Sequence, residues 1–453
     1  MESNQAFVKM PVINPHAAGI DIGSKFHVVA LDSKNTDVKE FGVYTENLYE
    51  LAKYLKDNHI QTVAMEATGG YESPLVAILQ AYDLNVVVTA GVNTKNYKGK
   101  KSDVQDAVRI QQLHSLGLLP SCFVPDNFSM ELRSLVRLRR NLIENSSDYI
   151  RRIQKILRNA NVRLDVALAH STSQSSLRII ESIINGEIDG IKLAELADKR
   201  CKKSKTEIAK ALTGNIKATD LFQLKQCYRI YQNLLEELNL LDSEIEKLLK
   251  IEAQKNNSEL VCPKTKKKID RNVPKYPVEN YAYQIFEGIN LDTIPGMGRD
   301  AILVFLSEIG NRIDSFQSAK SFSNYLRLTP NHRVTGGKIK SNRSQKNKSS
   351  MSVTLKRIAL NVGKMKDSNP LTIFFNKIKS KVGTMKAITA TANKMARIIW
   401  TLFKKNEEFN LSKLQQRPIN KMKVLEQMRK KLSNLNLEKE ELSNFFENVT
   451  LSL

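Results

Sequence analysis

Between residues 18 and about 118, short apolar runs alternate with helical patterns, which restricts this part of the chain to a layered α/β domain. Residues 17–23 and 26–31 read as two strands joined by a tight turn, and residues 41–44 as a third. Residues 47–58 form an amphipathic helix with Leu48, Leu51, Tyr54 and Leu55 on one side. A buried strand at 62–65, a helix at 71–82 and a further strand at 85–89 continue the alternation.

The pattern changes after residue 126. Residues 127–166 keep helical spacing through Leu132, Leu135, Leu138, Leu142, Tyr149, Ile153 and Ile156, decorated by basic residues including Arg137, Arg139 and Arg140. A second long helix is predicted over 220–250, where Leu224, Tyr228, Tyr231, Leu235, Leu238 and Ile245 fall near a 3-4 repeat. A helical hairpin or a dimer-forming coil satisfies it equally. Small helices are expected over 172–219, and an exposed, lysine-rich loop over 252–285. From 291 to about 405 the chain is mostly helical again, and a charged, helical tail follows Pro418. The expected domains are 1–125 (α/β), 126–285 (helical, coiled-coil-like, with insertions), 286–405 (mainly helical) and a tail over 406–453.

Charge narrows the functional classes. The chain carries 70 Lys+Arg against 47 Asp+Glu, a formal net charge of +23. Such a surplus favours a polyanionic partner, nucleic acid above all, or an acidic membrane surface, against the weaker alternative of a merely basic soluble protein. No run of about eighteen apolar residues suits a membrane-spanning helix. The first fifteen residues show no signal-peptide pattern. Cys122, Cys201, Cys227 and Cys262 are scattered without a C-x-x-C pair, so neither a zinc site nor a disulfide framework is expected. A reducing cytoplasm, beside the nucleoid, fits these features.

Four acids stand out within the α/β region. Asp21 ends one apolar strand before Gly23, and Glu66 ends another before Ala67-Thr68-Gly69-Gly70. Asp103 and Asp106 lie three apart near a helix start, so they share a helix face. Each acid alone has a duller role as a turn or helix cap. Together, four oxygen-donor side chains suit two Mg²⁺ or Mn²⁺ ions. Such ions activate a nucleophile and stabilise a leaving oxygen in phosphodiester chemistry. The ordered set resembles the ribonuclease-H-like fold of Holliday-junction resolvases, that is, a RuvC-like domain. Lys98, Lys100 and Lys101 precede the Asp pair and can hold phosphates beside it, or serve as a solvated loop. Further on, Ile294-Pro295-Gly296-Met297-Gly298 before a helix resembles a helix-hairpin-helix turn, whose free N–H groups suit a phosphate.

These motifs together make the chain similar to the DEDD transposases of the IS110 insertion-sequence family, which includes Piv-type DNA invertases. The resemblance rests on Gly19-Ile20-Asp21-Ile22-Gly23, Met65-Glu66-Ala67-Thr68-Gly69-Gly70-Tyr71, Lys101-Ser102-Asp103-Val104-Gln105-Asp106-Ala107, Ile294-Pro295-Gly296-Met297-Gly298, and Leu328-Thr329-Pro330 with Thr335-Gly336-Gly337-Lys338. It implies an enzyme that cuts and rejoins DNA, with Asp21, Glu66, Asp103 and Asp106 as catalytic, Mg²⁺- or Mn²⁺-binding acids. It also implies a hydroxyl nucleophile before Gly336, forming a covalent link to DNA as in serine recombinases. A structured guide RNA, donor and target DNA, and assembly through dimers into tetramers with active sites composed from both domains are implied partners and states. The family's serine is replaced here by Thr335. Either Thr335 acts, or Ser341 or Ser344 substitutes, or the copy is defective. Lys338, Arg343 and Lys346, with Lys356 and Arg357, are candidate phosphate contacts, against a solvated-face alternative. The competing functions are a metal-dependent, structure-selective DNA nuclease and a catalytically defective DNA- and RNA-binding protein.

Overall fold

The computed structural model describes residues 11–32, 37–94, 102–256, 260–263, 272–330, 333–341, 349–366 and 369–411, with residues 414, 422 and 426. They divide into two compact units, Met1–Pro125 and Asp126–Leu453.

The first unit is built on a five-stranded sheet. Its strands are β1 (Ala17–Ile22), β2 (Phe26–Ala30), β3 (Val38–Gly42), β4 (Thr62–Glu66) and β5 (Asn85–Thr89). The order is β3-β2-β1-β4-β5, with β1, β4 and β5 parallel and β2 antiparallel to both neighbours. The helices are α1 (Thr45–Asp57), α2 (Ser73–Ala81), α3 (Gly91–Thr94) and α4 (Asp103–Ser115). Strand periodicity sorts the side chains into two layers. Ala18, Ile20, Val63 and Met65 pack with Leu48, Leu51, Leu55, Leu75 and Leu79 of α1 and α2. On the opposite face, Val28 and Ala30 meet Ala107 and Val108 of α4, and Ala64 meets Ile110. The third strand lies at 38–42 rather than 41–44, because β2 pairs Phe26 with Gly42 and Ala30 with Val38. Ladder register decided this edge, where the sequence is too polar to mark a strand.

Gly19 sets the distance between β1 and α4. A Cβ there would lie 2.3 Å from the Gln111 amide nitrogen and 2.4 Å from the Ala107 carbonyl oxygen. Gln111 then reaches over β1, its Nε2 donating to the Ala17 and Leu31 carbonyls at 3.1 and 3.3 Å. One turn later, His114 Nε2 is 2.9 Å from Thr62 Oγ1 on β4. From Ala107 to His114 the helix therefore passes from the middle of β1 to the start of β4. It runs opposite to both strands.

Among its described residues the second unit is helical apart from one hairpin. Its long members are α5 (Asn127–Asn159) and α10 (Ala218–Asn256), which pack on each other within the chain. Between them lie α6 (Leu164–Ala167), α7 (Gln174–Ile184), α8 (Gly190–Glu195) and α9 (Lys205–Leu212), the small helices anticipated over 172–219. Their Ile179, Ile183, Leu193 and Ile208 share a core with Ile153, Leu157, Leu224 and Tyr228. The first helix ends at Asn159 instead of continuing to 166, since Asn161 turns to φ 58° and buries Val162. Arg139 is not surface decoration: only 3% exposed, it grips Asp242 of α10 through Nε at 2.6 Å and Nη2 at 3.2 Å.

The expected loop over 252–285 is overturned where it is described. Helix α10 extends to Asn256, Cys262 and Tyr276 are buried, and α11 (Val278–Ile285) follows. Lys264–Lys268 lie outside the described residues. The remainder comprises α12 (Arg299–Ile309), α13 (Ala319–Tyr325), β6 (Arg333–Thr335), β7 (Lys338–Ser341), α14 (Ser350–Val362), α15 (Pro370–Val382) and α16 (Thr384–Lys405). Phe286, Phe305 and Phe403 form an aromatic trio with centroids 4.9–5.7 Å apart. Most of the tail after Pro418 lies outside the described residues.

Two outcomes follow for the first unit. Gly19→Ala forces α4 off β1, and overpacking of this kind costs about 1–3 kcal/mol. Urea unfolding followed by far-UV circular dichroism is expected to show an earlier transition; an unchanged midpoint would contradict the close packing. Burial holds the His27 and His114 imidazoles below the ordinary value of 6.5. The folded chain thus binds fewer protons at these two histidines than the unfolded chain does as pH falls through about 6.5. The melting temperature is therefore expected to fall from about pH 7.5 to about pH 5.5, and to fall less in His114→Gln.

Candidate active site

The β1–β4 ladder aligns Ala17 with Thr62 and ends by aligning Ile20 with Met65. Asp21 and Glu66 are the next pair in register, at the carboxyl ends of two adjacent parallel strands. Side-chain alternation puts Asp21 on the face of Gly19 and Glu66 on the face of Ala64, which is the face covered by α4. Because α4 runs opposite to these strands, its first turn points toward their carboxyl ends. That turn holds Asp103 and Asp106. The backbones of all four acids thus meet at one end of one layer.

The first turn of α4 is locally favourable for acids. Ser102 caps it, its Oγ accepting from the Gln105 N–H at 3.3 Å. Carboxylates near unpaired helix N–H groups gain about 0.3–1 kcal/mol. Asp103 is exposed and Asp106 half-buried.

Glu66 is held by neighbours the motif reading missed. Thr94 Oγ1 donates to Glu66 Oε2 at 2.6 Å and lies 3.2 Å from the Gly91 carbonyl. One hydroxyl proton serves one of these acceptors well, and the shorter, charged one prevails. Gly91 presses against the same carboxylate, since a Cβ there would fall 2.0 Å from Glu66 Oε1. Arg109 of α4 completes the clamp by donating from Nε to the Thr94 carbonyl at 3.0 Å. The helix carrying Asp103 and Asp106 is thereby tied to the segment that holds Glu66. Arg109 lies three residues after Asp106, so helical spacing alone signalled a shared face. Nothing local marked Thr94. Glu72 was also missed: it shapes the loop after β4 by accepting from Thr68 N at 3.1 Å and Gly70 N at 3.0 Å.

The acids share an end of the sheet, yet their carboxylates are not gathered into a cage. Among the described residues, no three Asp, Glu, His or Cys side chains stand as a metal-holding group. Glu66 is turned into α3 by the contacts just described.

Of the remaining candidates, Thr335 and Lys338 flank the turn of the β6–β7 hairpin. They are cross-strand partners, separated by Gly336 at φ 55° and Gly337 at φ 73°. Two successive positive-φ residues make the tight turn whose twist suits a hairpin, and glycine adopts it without strain. Both Thr335 and Lys338 are exposed. Arg357 carries less free charge than expected, being paired with Asp300 in the first turn of α12. Lys98, Lys100, Lys101, Arg343, Lys346 and Ser344 lie outside the described residues.

Two family models match the chain. A transposase model of the DEDD type covers residues 18–162, which includes all four acids and the sheet end they share. The transposase IS116/IS110/IS902 family covers residues 289–370, including the hairpin. The chain belongs to the IS110 family of DEDD transposases. No curated protein matches it. An IS110 transposase is a DNA-cutting and rejoining enzyme of an insertion sequence, and its DEDD domain carries divalent-metal dependence. No helix among the described residues of this transposase is long and apolar enough to cross a membrane.

The clamp on Glu66 gives a direct test. In Thr94→Val the carboxylate loses a buried donor, a change of about 1–3 kcal/mol. DNA cleavage by this transposase is expected to fall about tenfold or more, with Thr94→Ser close to wild type. Equal rates for Thr94→Val and wild type would remove the clamp from the chemistry.

Proposed function

We propose that this transposase cuts DNA by attack of the Thr335 hydroxyl on a phosphodiester, with Asp21, Glu66, Asp103 and Asp106 as the metal-binding acids. The observation that supports it best is the register of Asp21 and Glu66 on neighbouring parallel strands, with the first turn of α4 aimed at the same end. The strand order, with β2 alone reversed, supports a ribonuclease-H-like assignment for the first unit. Four carboxylates are a hard-oxygen donor set fit for Mg²⁺ or Mn²⁺, which supplies charge stabilisation to a phosphoryl oxygen when bound.

In the cutting step, the bond from Thr335 Oγ1 to phosphorus forms as the bond from phosphorus to the leaving deoxyribose oxygen breaks. The threonine proton passes to a base, and the leaving oxygen acquires a proton. Rejoining reverses these changes with a deoxyribose hydroxyl as the attacking group. The phosphodiester's bond energy is kept in the covalent link, so no high-energy cofactor is consumed. Lys338, opposite Thr335 on the hairpin, is within reach of a phosphate brought to that hydroxyl. Threonine can act as a nucleophile, and a β-branched side chain suits a strand end.

The same reading assigns choice of donor and target DNA to a structured non-coding RNA of the element. The +23 charge supports polyanionic partners. It also assigns a working state of paired dimers.

The test incubates the full chain with the element's non-coding RNA, labelled donor and target DNA, and Mg²⁺. A denaturing gel separates protein-linked, free and joined DNA. The expected result is an adduct that is lost in Thr335→Ala, and cutting slowed at least about 100-fold in Asp103→Asn. An adduct that survives Thr335→Ala moves the nucleophile to Ser341 or Ser344. Free ends without adduct favour hydrolysis by the acids alone, and binding without cutting marks a defective copy.

A further inference from the structure

The positive charge of the second unit is not evenly spread. Over much of α5 and α10, cations sit beside acids on the same helix, as in Arg151–Asp148, Lys247–Glu244 and Lys255–Glu252. Such pairs offset the charge of α10, which holds five Lys+Arg against seven Asp+Glu, while α5 keeps eight Lys+Arg against three Asp+Glu, with Arg133, Arg137 and Arg139 engaged by acids of other helices. The last three helices differ. From residue 350 to 405 the sequence holds twelve lysines and arginines against one carboxylate, Asp367. Some of these cations are engaged: Arg357 with Asp300, Lys404 with Asp314, and Lys394 over the Phe374 ring at 4.4 Å. Lys379, Lys381 and Lys386 make no ion pair among the described residues.

These three lysines mark a corner of unusual shape. Helix α15 ends at Val382, Gly383 turns at φ 87°, and α16 begins at Thr384. Every residue from 379 to 386 is exposed. A helix lying on a neighbour buries one residue in every three or four. A run with none buried, across two helix ends, means that among the described residues the corner stands out into solvent, up to the buried Ala387. Its apolar residues are exposed as well, Val382 by 50% and Met385 by 78%. Water disfavours that apolar surface, while the unpaired lysines repel one another. A polyanion with apolar groups in its groove relieves both.

We infer that the α15–α16 corner is a docking surface for duplex DNA, with Lys379, Lys381 and Lys386 on phosphates and the first turn of α16 in the major groove. The inference rests on the DNA-cutting reading above and adds a surface to it. A helix with its side chains is about 10–12 Å across, and the B-form major groove is about 12 Å wide. The deep, narrow major groove of A-form RNA does not admit such a projection. Met385 and Val382 are then positioned for apolar contact of the kind thymine methyl groups accept.

The test compares the full-length wild type with Lys379→Ala/Lys381→Ala/Lys386→Ala in binding to a short mixed-sequence DNA duplex over a salt series. Each lost phosphate contact lowers the slope of log affinity against log salt by about 0.9, so the triple variant is expected to lose roughly 2–3 from that slope. At about 0.1 M salt the same loss weakens binding by about tenfold per contact. The corresponding triple Lys→Arg variant is expected to restore both. All three positions are exposed, and an unchanged thermal melt separates lost contact from lost fold. Wild-type slope and affinity in the alanine variant overturn the inference while leaving the cutting reading intact. Unchanged DNA binding with weakened binding to an RNA duplex of the same sequence also overturns it, and gives the corner to RNA. Failure of the wild type itself to bind the duplex also overturns this surface, while the cutting reading is decided separately by the adduct assay with the RNA present.

Discussion

The acidic end of the sheet depends on how closely α4 lies against β1. Backbone meets backbone at Gly19, where a single methyl group has no room between the strand and the Ala107–Gln111 turn. That contact fixes the depth of the helix. The Gln111 amide and the His114–Thr62 pair fix its direction. Once depth and direction are set, the first turn of α4 has one place to go, toward the carboxyl ends of β1 and β4. The position of Asp103 and Asp106 is therefore a consequence of packing that starts at the next residue, Ala107, and extends to His114, about 12 Å of helix beyond Asp106 at about 1.5 Å per residue. The Arg109–Thr94–Glu66 chain is the other half of the same device, because it couples the helix to the carboxylate of the neighbouring strand.

A different constraint organises the helical unit. Arg139 is buried with a bidentate partner, Asp242, and also donates to the Asn272 carbonyl at 3.1 Å. A desolvated charge of this kind tolerates only one alignment of its partners, since misalignment leaves an unpaired ion in a poor solvent. It sets α5 against α10 in register where their apolar side chains alone would permit sliding. Arg133 of α5 works similarly on α12, donating to the carbonyls of Ser307 and Glu308 at 3.1 and 2.9 Å, near that helix's C-terminus. Arginines that look like surface decoration in a helical pattern therefore join elements that are distant in sequence. Besides α5, the cations left over for a polyanion lie in α14–α16, where acids are nearly absent.

The fold was legible where periodicity is strong. Strands β1, β2, β4 and β5 and helices α1 and α2 lie within a few residues of their sequence-based positions, because both faces or one stripe of each are apolar. Legibility failed for elements that depend on a partner. The edge strand β3 shifted to 38–42, since its residues are polar and only pairing with β2 defines it. The buried segment around Cys262 and Tyr276 was read as loop, because prolines and lysines mask a few apolar anchors. The candidate site divides the same way. Asp21, Glu66, Asp103 and Asp106 stand out as acids at element ends, and Thr335 as the residue before two glycines. Thr94 and Glu72 carry no such mark, since a threonine in a short helical turn and a glutamate after a loop are ordinary until their partners are known.

What the sequence determined by itself was local: which segments form strands and helices, where acids and glycines interrupt them, and a charge surplus that selects a polyanionic partner. Those properties need only nearest-neighbour geometry and composition. The tertiary structure decided which of these features meet. It put Asp21 and Glu66 in adjacent register, turned the Glu66 carboxylate toward Thr94, buried Arg139 while leaving Lys379, Lys381 and Lys386 bare, and placed Thr335 opposite Lys338. Each of these depends on segments far apart in the chain or on pairing across a turn, and spacing along a sequence does not encode a distance through space until packing brings the segments together.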